Sequence, residues 1–164
     1  NKVQEAVDKW TEIKSNNSNI QLHMIGKLQT NKVKFAVKLF DYIHSVDSEK
    51  LARKIADEQQ KINRNLKIFI QVNVGDEAQK SGININEINN LIVACKKFKL
   101  NVIGLMCIPP AKVDPTIYFK EMDKINKINN FKQLSMGMSS DYLKAAKHNS
   151  TYLRIGSDIF GLRS

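Results

Sequence analysis

Long apolar runs, cysteine pairs and a leader pattern are all missing from this sequence of 164 residues. No stretch comes near the roughly 20 apolar residues that a membrane-spanning helix needs, so we expect no membrane partner. The two cysteines, Cys95 and Cys107, have no second pair and no neighbouring histidine, which excludes a disulfide framework and a zinc set and indicates buried thiols. The first residues carry no basic region followed by an apolar stretch, so we expect a cytoplasmic protein.

Acidic residues are also scarce, with 16 Asp and Glu against 26 Lys and Arg, which gives a net charge of +10 at pH 7. Such a charge admits nucleic acid, an anionic membrane or a phosphorylated ligand as a partner. The lysines are scattered among asparagines, without a Lys/Arg block or an aromatic stacking pair. An ordinary solvated surface is therefore favoured over a nucleic-acid interface, which we keep as a third hypothesis.

Segments rich in β-formers alternate with amphipathic helical patterns along the chain. The predicted strands lie at about 20–25, 41–46, 66–74, 101–108, 132–136 and 151–155. This alternation predicts an α/β fold with a parallel sheet and right-handed crossovers. Two architectures fit: an open doubly wound sheet, or a (β/α)8 TIM barrel that lacks part of its wall. No GxGxxG or GxxxxGK[ST] motif follows any strand, so the usual nucleotide signatures of the open sheet are absent.

Two small-residue turns in the stretch 134–161 suit an anion. The first, 135–140, follows an apolar strand and opens a helix for which Asp141 is the predicted N-cap. The second begins at Gly156 and Ser157 after the strand at 151–155. Unpaired N–H groups at such turns point outwards, where a phosphate satisfies them. Since both turns follow strands of one parallel sheet, we expect them to share one end of it.

Five stretches, in order and over nearly the whole chain, carry a resemblance to one known family. They are HMIGKLQTNK (23–32), QVNVGDEAQKSG (71–82), GLMCIPP (104–110), LSMGMSSD (134–141) and STYLRIGSDIFGLR (150–163). In these stretches the sequence resembles the pyridoxal-phosphate homeostasis proteins, which have a barrel like that of the alanine racemase N-terminal domain. One departure is Asn149, where the family has glycine; asparagine tolerates the left-handed conformation that this turn requires.

The resemblance implies a single pyridoxal 5'-phosphate (PLP) binding barrel domain over residues 1–164. The segment NKVQE at 1–5 resembles the family sequence just after its second strand, so the six predicted strands would be the third to the eighth. We therefore expect an incomplete barrel, with about six of eight strands, that lacks the first strand-helix-strand unit. That unit carries the family's Schiff-base lysine, and the resemblance assigns this role to none of Lys27, Lys32 and Lys80.

The resemblance also implies which residues meet the cofactor. Arg154 would face the pyridine nitrogen, and the N–H groups of Gly156 and Ser157 would bind the phosphate together with the hydroxyls of Ser139 and Ser157. The cofactor-binding set is completed by three further residues: Met138, Asn1 and His23. Met138 is also compatible with a core position, and His23 lies in a strand whose alternation points it either into the barrel or towards the helices. No catalytic or metal-binding residue is predicted.

By resemblance, the predicted function is non-catalytic PLP binding in intracellular PLP homeostasis, by buffering the cofactor or delivering it. PLP-dependent apoenzymes would be its partners, and the full-length protein would be a monomer. The alternative is a PLP-dependent racemase-like enzyme, which needs two bases on opposite faces of the ring. The four tyrosines that could serve have no evident role in their predicted helices and strands: Tyr42, Tyr118, Tyr142 and Tyr152.

Overall fold

Six parallel strands alternate with seven helices in residues 1–161, which are the residues that the structure, a computed structural model, describes. The strands are His23–Met24 (β1), Tyr42–Val46 (β2), Lys67–Val72 (β3), Asn101–Cys107 (β4), Gln133–Met138 (β5) and Tyr152–Arg154 (β6). The helices are Val3–Asn16 (α1), Val33–Leu39 (α2), Glu49–Lys61 (α3), Ile88–Lys97 (α4), Thr116–Ile128 (α5), Tyr142–Lys147 (α6) and Ser157–Phe160 (α7). Leu162 and Arg163, which end the fifth motif, lie outside the described residues.

The strands are arranged in the order of the sequence, from β1 to β6, and every neighbouring pair is parallel. A doubly wound sheet would reverse direction along this order, whereas a barrel wall does not. The sheet is also strongly curved, as shown by the ring of His23 on the first strand, which lies 5.7 Å from the ring of Tyr152 on the last strand. The prediction of an incomplete (β/α)8 barrel with six strands is therefore confirmed.

Most of the apolar core lies between the sheet and the surrounding helices. Strand β3 is buried at every position after Lys67, as its apolar sequence on both faces predicts. Helix α3 starts at Ser48, whose hydroxyl caps the N–H of Leu51, and it buries Leu51 and Ile55 against the sheet. A smaller cluster of Tyr42, Phe69 and Met106 fills the concave inside of the wall.

Two predicted features differ in the structure. Strand β1 has only two residues, because the N–H groups of Asp41 and Tyr42 both bond to the carbonyl of Leu22 and sheet pairing proper starts at the next residue. The three-to-four spacing of Val3, Val7, Trp10 and Ile13 predicts one apolar face on α1, but this face is only partly buried. Val3 is in the core, whereas Trp10 is 37% and Ile13 43% exposed. Helix α1 packs mainly against α2, which covers only one side of that face.

The amino ends of the strands are tied together by Asp41. Its carboxylate accepts hydrogen bonds from the N–H of Leu22 at 2.8 Å and from Arg64 at 2.9 Å, and it also pairs with Lys14 of α1. These contacts lie at the end of the wall opposite the candidate site. They fix α1 to the first two strands, so their role is structural.

The turn after β5 brings α6 close to the sheet. Gly137 has a φ of +93°, and a Cβ there would lie 2.6 Å from the Cβ of Ala145, so both conformation and space require glycine. Asp141 occupies the N-cap position of α6 as predicted, but its carboxylate accepts the N–H of Met138 at 2.6 Å instead of capping the helix. Asn149 has a φ of +65°, which confirms the left-handed turn expected there.

Candidate functional site

A cavity of about 820 Å³ lies at the carboxyl ends of the strands. Its walls come from the segments that follow β1, β3, β4 and β6 and from the end of β5, so every part of the wall except the β2 loop contributes backbone or side chains there. Active sites of (β/α)8 barrels occupy this end, because the loops after the strands converge on it. The cavity is therefore the candidate site.

Arg154 is a cation at the cavity that has no anionic partner in the part of the chain that the structure describes. Its guanidinium donates from Nη1 to the hydroxyl of Ser135 and from Nη2 to the carbonyl of Cys107, both at 2.8 Å. None of the ion pairs between residues 1–161 involves it. Burial lowers the pKa of Arg154, but a guanidinium stays charged in proteins. A partly buried charge of this kind favours an anion or a strong hydrogen-bond acceptor as ligand.

Two histidines continue from Arg154 across the inside of the wall. His44 Nδ1 lies 2.9 Å from the hydroxyl of Ser135, and His44 Nε2 lies 3.0 Å from Nδ1 of His23. Burial, with His23 and Arg154 nearby, lowers the pKa of His44 to about 3, and burial also lowers that of His23. Both imidazoles are therefore neutral at pH 7, which leaves Arg154 as the charge in this row.

Aromatic rings support this row from below. The ring of His44 stacks on Phe69 at 4.3 Å, and the ring of His23 stacks on Tyr42 at 4.0 Å. Tyr152 packs edge-on against Phe69 and also lines the cavity. Burial and the neighbouring hydroxyl of Tyr42 raise the pKa of Tyr152 to about 12, so this phenol holds its proton at neutral pH.

The two predicted anion turns meet at the cavity rim. The N–H of Gly156 donates to the hydroxyl of Ser139 at 3.2 Å, which joins the turn after β5 to the turn after β6. A Cβ on Gly156 would meet no atom within 4 Å, so nothing in the described chain requires glycine at this position. Space of this kind beside a backbone N–H permits close approach of a ligand group.

Five of the seven predicted cofactor residues line the cavity: Asn1, His23, Met138, Arg154 and Gly156. The hydroxyl of Ser139 accepts a hydrogen bond from Gly156, and Ser157 comes after Gly156 as the first residue of α7. Met138 is 36% exposed here, whereas Met106 and Met136 are fully buried in the core. The structure thus brings the set together, and the role of each residue towards a cofactor stays a prediction.

Three site residues were missed from sequence: Ser135, His44 and Tyr152, although Tyr152 was considered and given no role. Each is a polar side chain on a strand of the wall, and His44 shares a strand face with Tyr42 by alternation. Lys27 and Lys80 also line the cavity, and Lys80 is ion-paired with Glu77. Within residues 1–161 no cluster of His, Cys, Asp or Glu is placed to hold a metal, and no helix there has the length and apolarity to cross a membrane.

The neutral state of His44 predicts a loss of stability in acid. Because its pKa is lowered on folding, the unfolded chain binds a proton below pH 6.5 that folded His44 rejects until about pH 3. Among residues 1–161, the groups that face it are Ser135, His23, Arg154 and aromatic rings, with no carboxylate to hold an imidazolium. As the pH falls from 6.5 to 5, we expect the unfolding free energy of wild type to drop by up to about 2 kcal/mol relative to that of His44→Phe.

Urea unfolding of the two proteins at several pH values measures this difference. The comparison cancels the contributions of His148 and of the carboxylates, which both proteins share, and a third protein with His23→Phe measures the contribution of the histidine that contacts His44. A free-energy difference that does not change with pH would contradict a neutral, buried His44.

Comparison with known proteins places the chain in a family. The family model for the alanine racemase N-terminal domain matches residues 1–164. A pyridoxal phosphate homeostasis protein of Vibrio alginolyticus is 34% identical over 177 residues, which cover 99% of this chain and 75% of the relative. The protein of that name from Aquifex aeolicus (strain VF5) is 35% identical over 173 residues, with 99% of this chain and 75% of the relative covered.

Solved structures agree with these sequence matches. PipY of Synechococcus elongatus PCC7942, solved without PLP, has a TM-score of 0.90 and 30% identity over 98% of this chain and 80% of PipY. PipY with PLP bound gives a TM-score of 0.89. Alanine racemase of Clostridium difficile 630, at a TM-score of 0.72 and 14% identity over 93% of this chain and 42% of its own, shares the fold. The chain therefore belongs to the pyridoxal phosphate homeostasis proteins, built on the barrel of the alanine racemase N-terminal domain.

Proposed function

We propose that this protein binds PLP without catalysing a reaction on it and serves PLP homeostasis by buffering the cofactor or passing it to PLP-dependent apoenzymes. The observation that carries the proposal is Arg154, a partly buried cation at the cavity whose partners among residues 1–161 are a hydroxyl and a carbonyl. The names of the relatives and the PipY structure with PLP bound support it.

The residues present suit the two polar ends of PLP. A phosphate monoester carries about −1.5 to −2 charges at pH 7. The hydroxyls of Ser139 and Ser157 and the N–H of Ser157 would hold it at the rim, where the space beside Gly156 is open. The N–H of Gly156 would join them by exchanging its bond to the Ser139 hydroxyl for one to the phosphate. Arg154 would donate to the ring nitrogen at the other end, since a guanidinium offers donors and no acceptor.

Arg154 also favours binding of PLP without catalysis over PLP-dependent catalysis. Bound PLP supplies an electron sink, and this sink is strongest when its ring nitrogen is protonated. A donor-only guanidinium keeps that nitrogen unprotonated. Tyr152 is the one observation that favours the racemase alternative, because it lines the cavity, but its raised pKa makes it a poor base at neutral pH.

Titration of the chain with PLP, followed by calorimetry and by the absorption of the cofactor, tests the proposal. We expect saturable one-to-one binding and no racemisation of L-alanine by the loaded protein. We also expect borohydride reduction and peptide mass analysis to find no lysine adduct within residues 1–164. Absence of saturable binding would contradict the proposal, and turnover of alanine would establish the racemase alternative.

Gly156→Ala tests the phosphate end separately. The added Cβ meets nothing in the chain itself, so the unfolding free energy should stay within about 0.5 kcal/mol of wild type. If phosphate packs against this backbone, affinity for PLP should fall roughly tenfold, the size expected for one charge-assisted hydrogen bond. Unchanged affinity in a folded Gly156→Ala protein would place the phosphate elsewhere.

A further inference from the structure

Four side chains from four strands form one continuous hydrogen-bonded row under the cavity. Arg154 on β6 bonds to Ser135 on β5, Ser135 to His44 on β2, and His44 to His23 on β1, with distances of 2.8, 2.9 and 3.0 Å. Ser135 is fully buried, and His44 is 1% exposed. The row is thus built into the wall, and it reaches solvent only at its ends.

The chemistry of these groups fixes where each hydrogen lies. A guanidinium only donates, so the Ser135 oxygen accepts from Arg154. The Ser135 hydroxyl hydrogen then has one available acceptor among the described residues, Nδ1 of His44. His44 must therefore carry its proton on Nε2 and donate it to Nδ1 of His23. Every donor in the row points the same way, from Arg154 towards His23.

With the hydrogen bonds in this direction, the Arg154 guanidinium is held by two acceptors. The Ser135 oxygen fixes Nη1 and the Cys107 carbonyl fixes Nη2, and the other three of the five N–H groups have no hydrogen-bond partner among residues 1–161. If His44 carried its proton on Nδ1 instead, the Ser135 hydroxyl hydrogen would have no buried acceptor. The neutral, Nε2-protonated state of His44 therefore keeps Ser135 oriented towards Arg154.

We propose that Ser135, held in turn by His44, positions the Arg154 guanidinium so that the cavity selects ligands with an unprotonated aromatic ring nitrogen. Ser135 and His44 are positioning residues here, because they act through Arg154. The inference rests on the proposed function, which supplies the ligand class. It adds which residues set the preference for the ring nitrogen, separately from the phosphate.

A pair of ligands that differ in one ring atom tests the inference. Pyridin-3-ylmethyl phosphate and benzyl phosphate share the phosphate and the ring size, and only the first has a ring nitrogen. In Ser135→Ala we expect affinity for the pyridine ligand to fall roughly tenfold, as for loss of a hydrogen bond to a charged group, and affinity for benzyl phosphate to change less than twofold.

Ser45→Ala is the matched control. Ser45 is also buried, on the same strand as His44, but its hydroxyl has no hydrogen-bond partner among the described groups. This variant makes the same chemical change without touching the row, so both affinities should stay at their wild-type values. An equal effect of Ser135→Ala on both ligands, or none on the pyridine ligand, would overturn the inference while leaving PLP binding in place.

A measurement on the wild-type protein keeps the inference testable even if Ser135→Ala does not fold. Nitrogen-15 NMR of the histidine rings should show neutral, Nε2-protonated His44 from pH 7 to pH 5. A His44 proton on Nδ1 would overturn the inference. Failure of the wild-type protein to bind PLP and both phosphates would instead contradict the proposed function on which it rests.

Discussion

Replacing Arg154 by glutamine is expected to weaken PLP binding roughly 10- to 100-fold, the range for losing a hydrogen bond from a charged donor. Arg154 has no acidic partner among residues 1–161, and glutamine removes the charged donor that the proposal assigns to the ring nitrogen. The variant should stay folded, because removing a desolvated charge offsets the donors lost by Ser135 and Cys107. Calorimetric titration gives the affinity, and urea unfolding the stability.

Arg154→Lys separates charge from geometry. Lysine keeps the positive charge but cannot hold Ser135 and Cys107 with a planar fork while donating to a third group. We therefore expect its affinity for PLP to lie closer to that of Arg154→Gln than to wild type. Wild-type affinity in Arg154→Gln would show that Arg154 does not contact the ligand and would remove the observation that carries the proposed function.

The barrel wall was predictable because its signals are local. An apolar segment such as β3 is typical of a strand buried on both faces, and Asp141 is typical of a helix start, and each signal lies within a few residues of sequence. The order of the strands was open on those signals alone, and only the resemblance favoured the barrel. Arg154 and Gly156 were predicted as cofactor-binding residues from the resemblance, because both belong to one short motif of the family.

The row under the cavity was not predictable because its contacts join distant parts of the chain. Ser135 and His44 are 91 positions apart, and their bond exists only once β2 and β5 face each other across the curved wall. Alternation places His44 and Tyr42 on one face, but it does not say which face is concave. The partial exposure of α1 has a similar origin, because periodicity shows an apolar face and not what covers it.

The close pairing of β4 with β5 requires glycine at position 104, where we expect alanine to cost about 3 kcal/mol of unfolding free energy. Gly104 on β4 pairs with Gln133 on β5, and a Cβ would lie 1.8 Å from the Gln133 carbonyl oxygen and 3.2 Å from the Phe69 ring. Backbone cannot move aside as a side chain tip does, so the two strands must separate or the pairing must shift. Urea unfolding measures the loss.

Gly156→Ala is the matched control for this experiment, since the same methyl group is added where no atom lies within 4 Å. Only the Gly104 variant should lose stability, while Gly156→Ala loses affinity at nearly wild-type stability. A folded fraction of Gly104→Ala should also bind PLP more weakly, because β5 carries Ser135 and Phe69 supports His44. Stability within 1 kcal/mol of wild type would show that β4 and β5 can separate at Gly104 at little cost, and it would contradict this prediction.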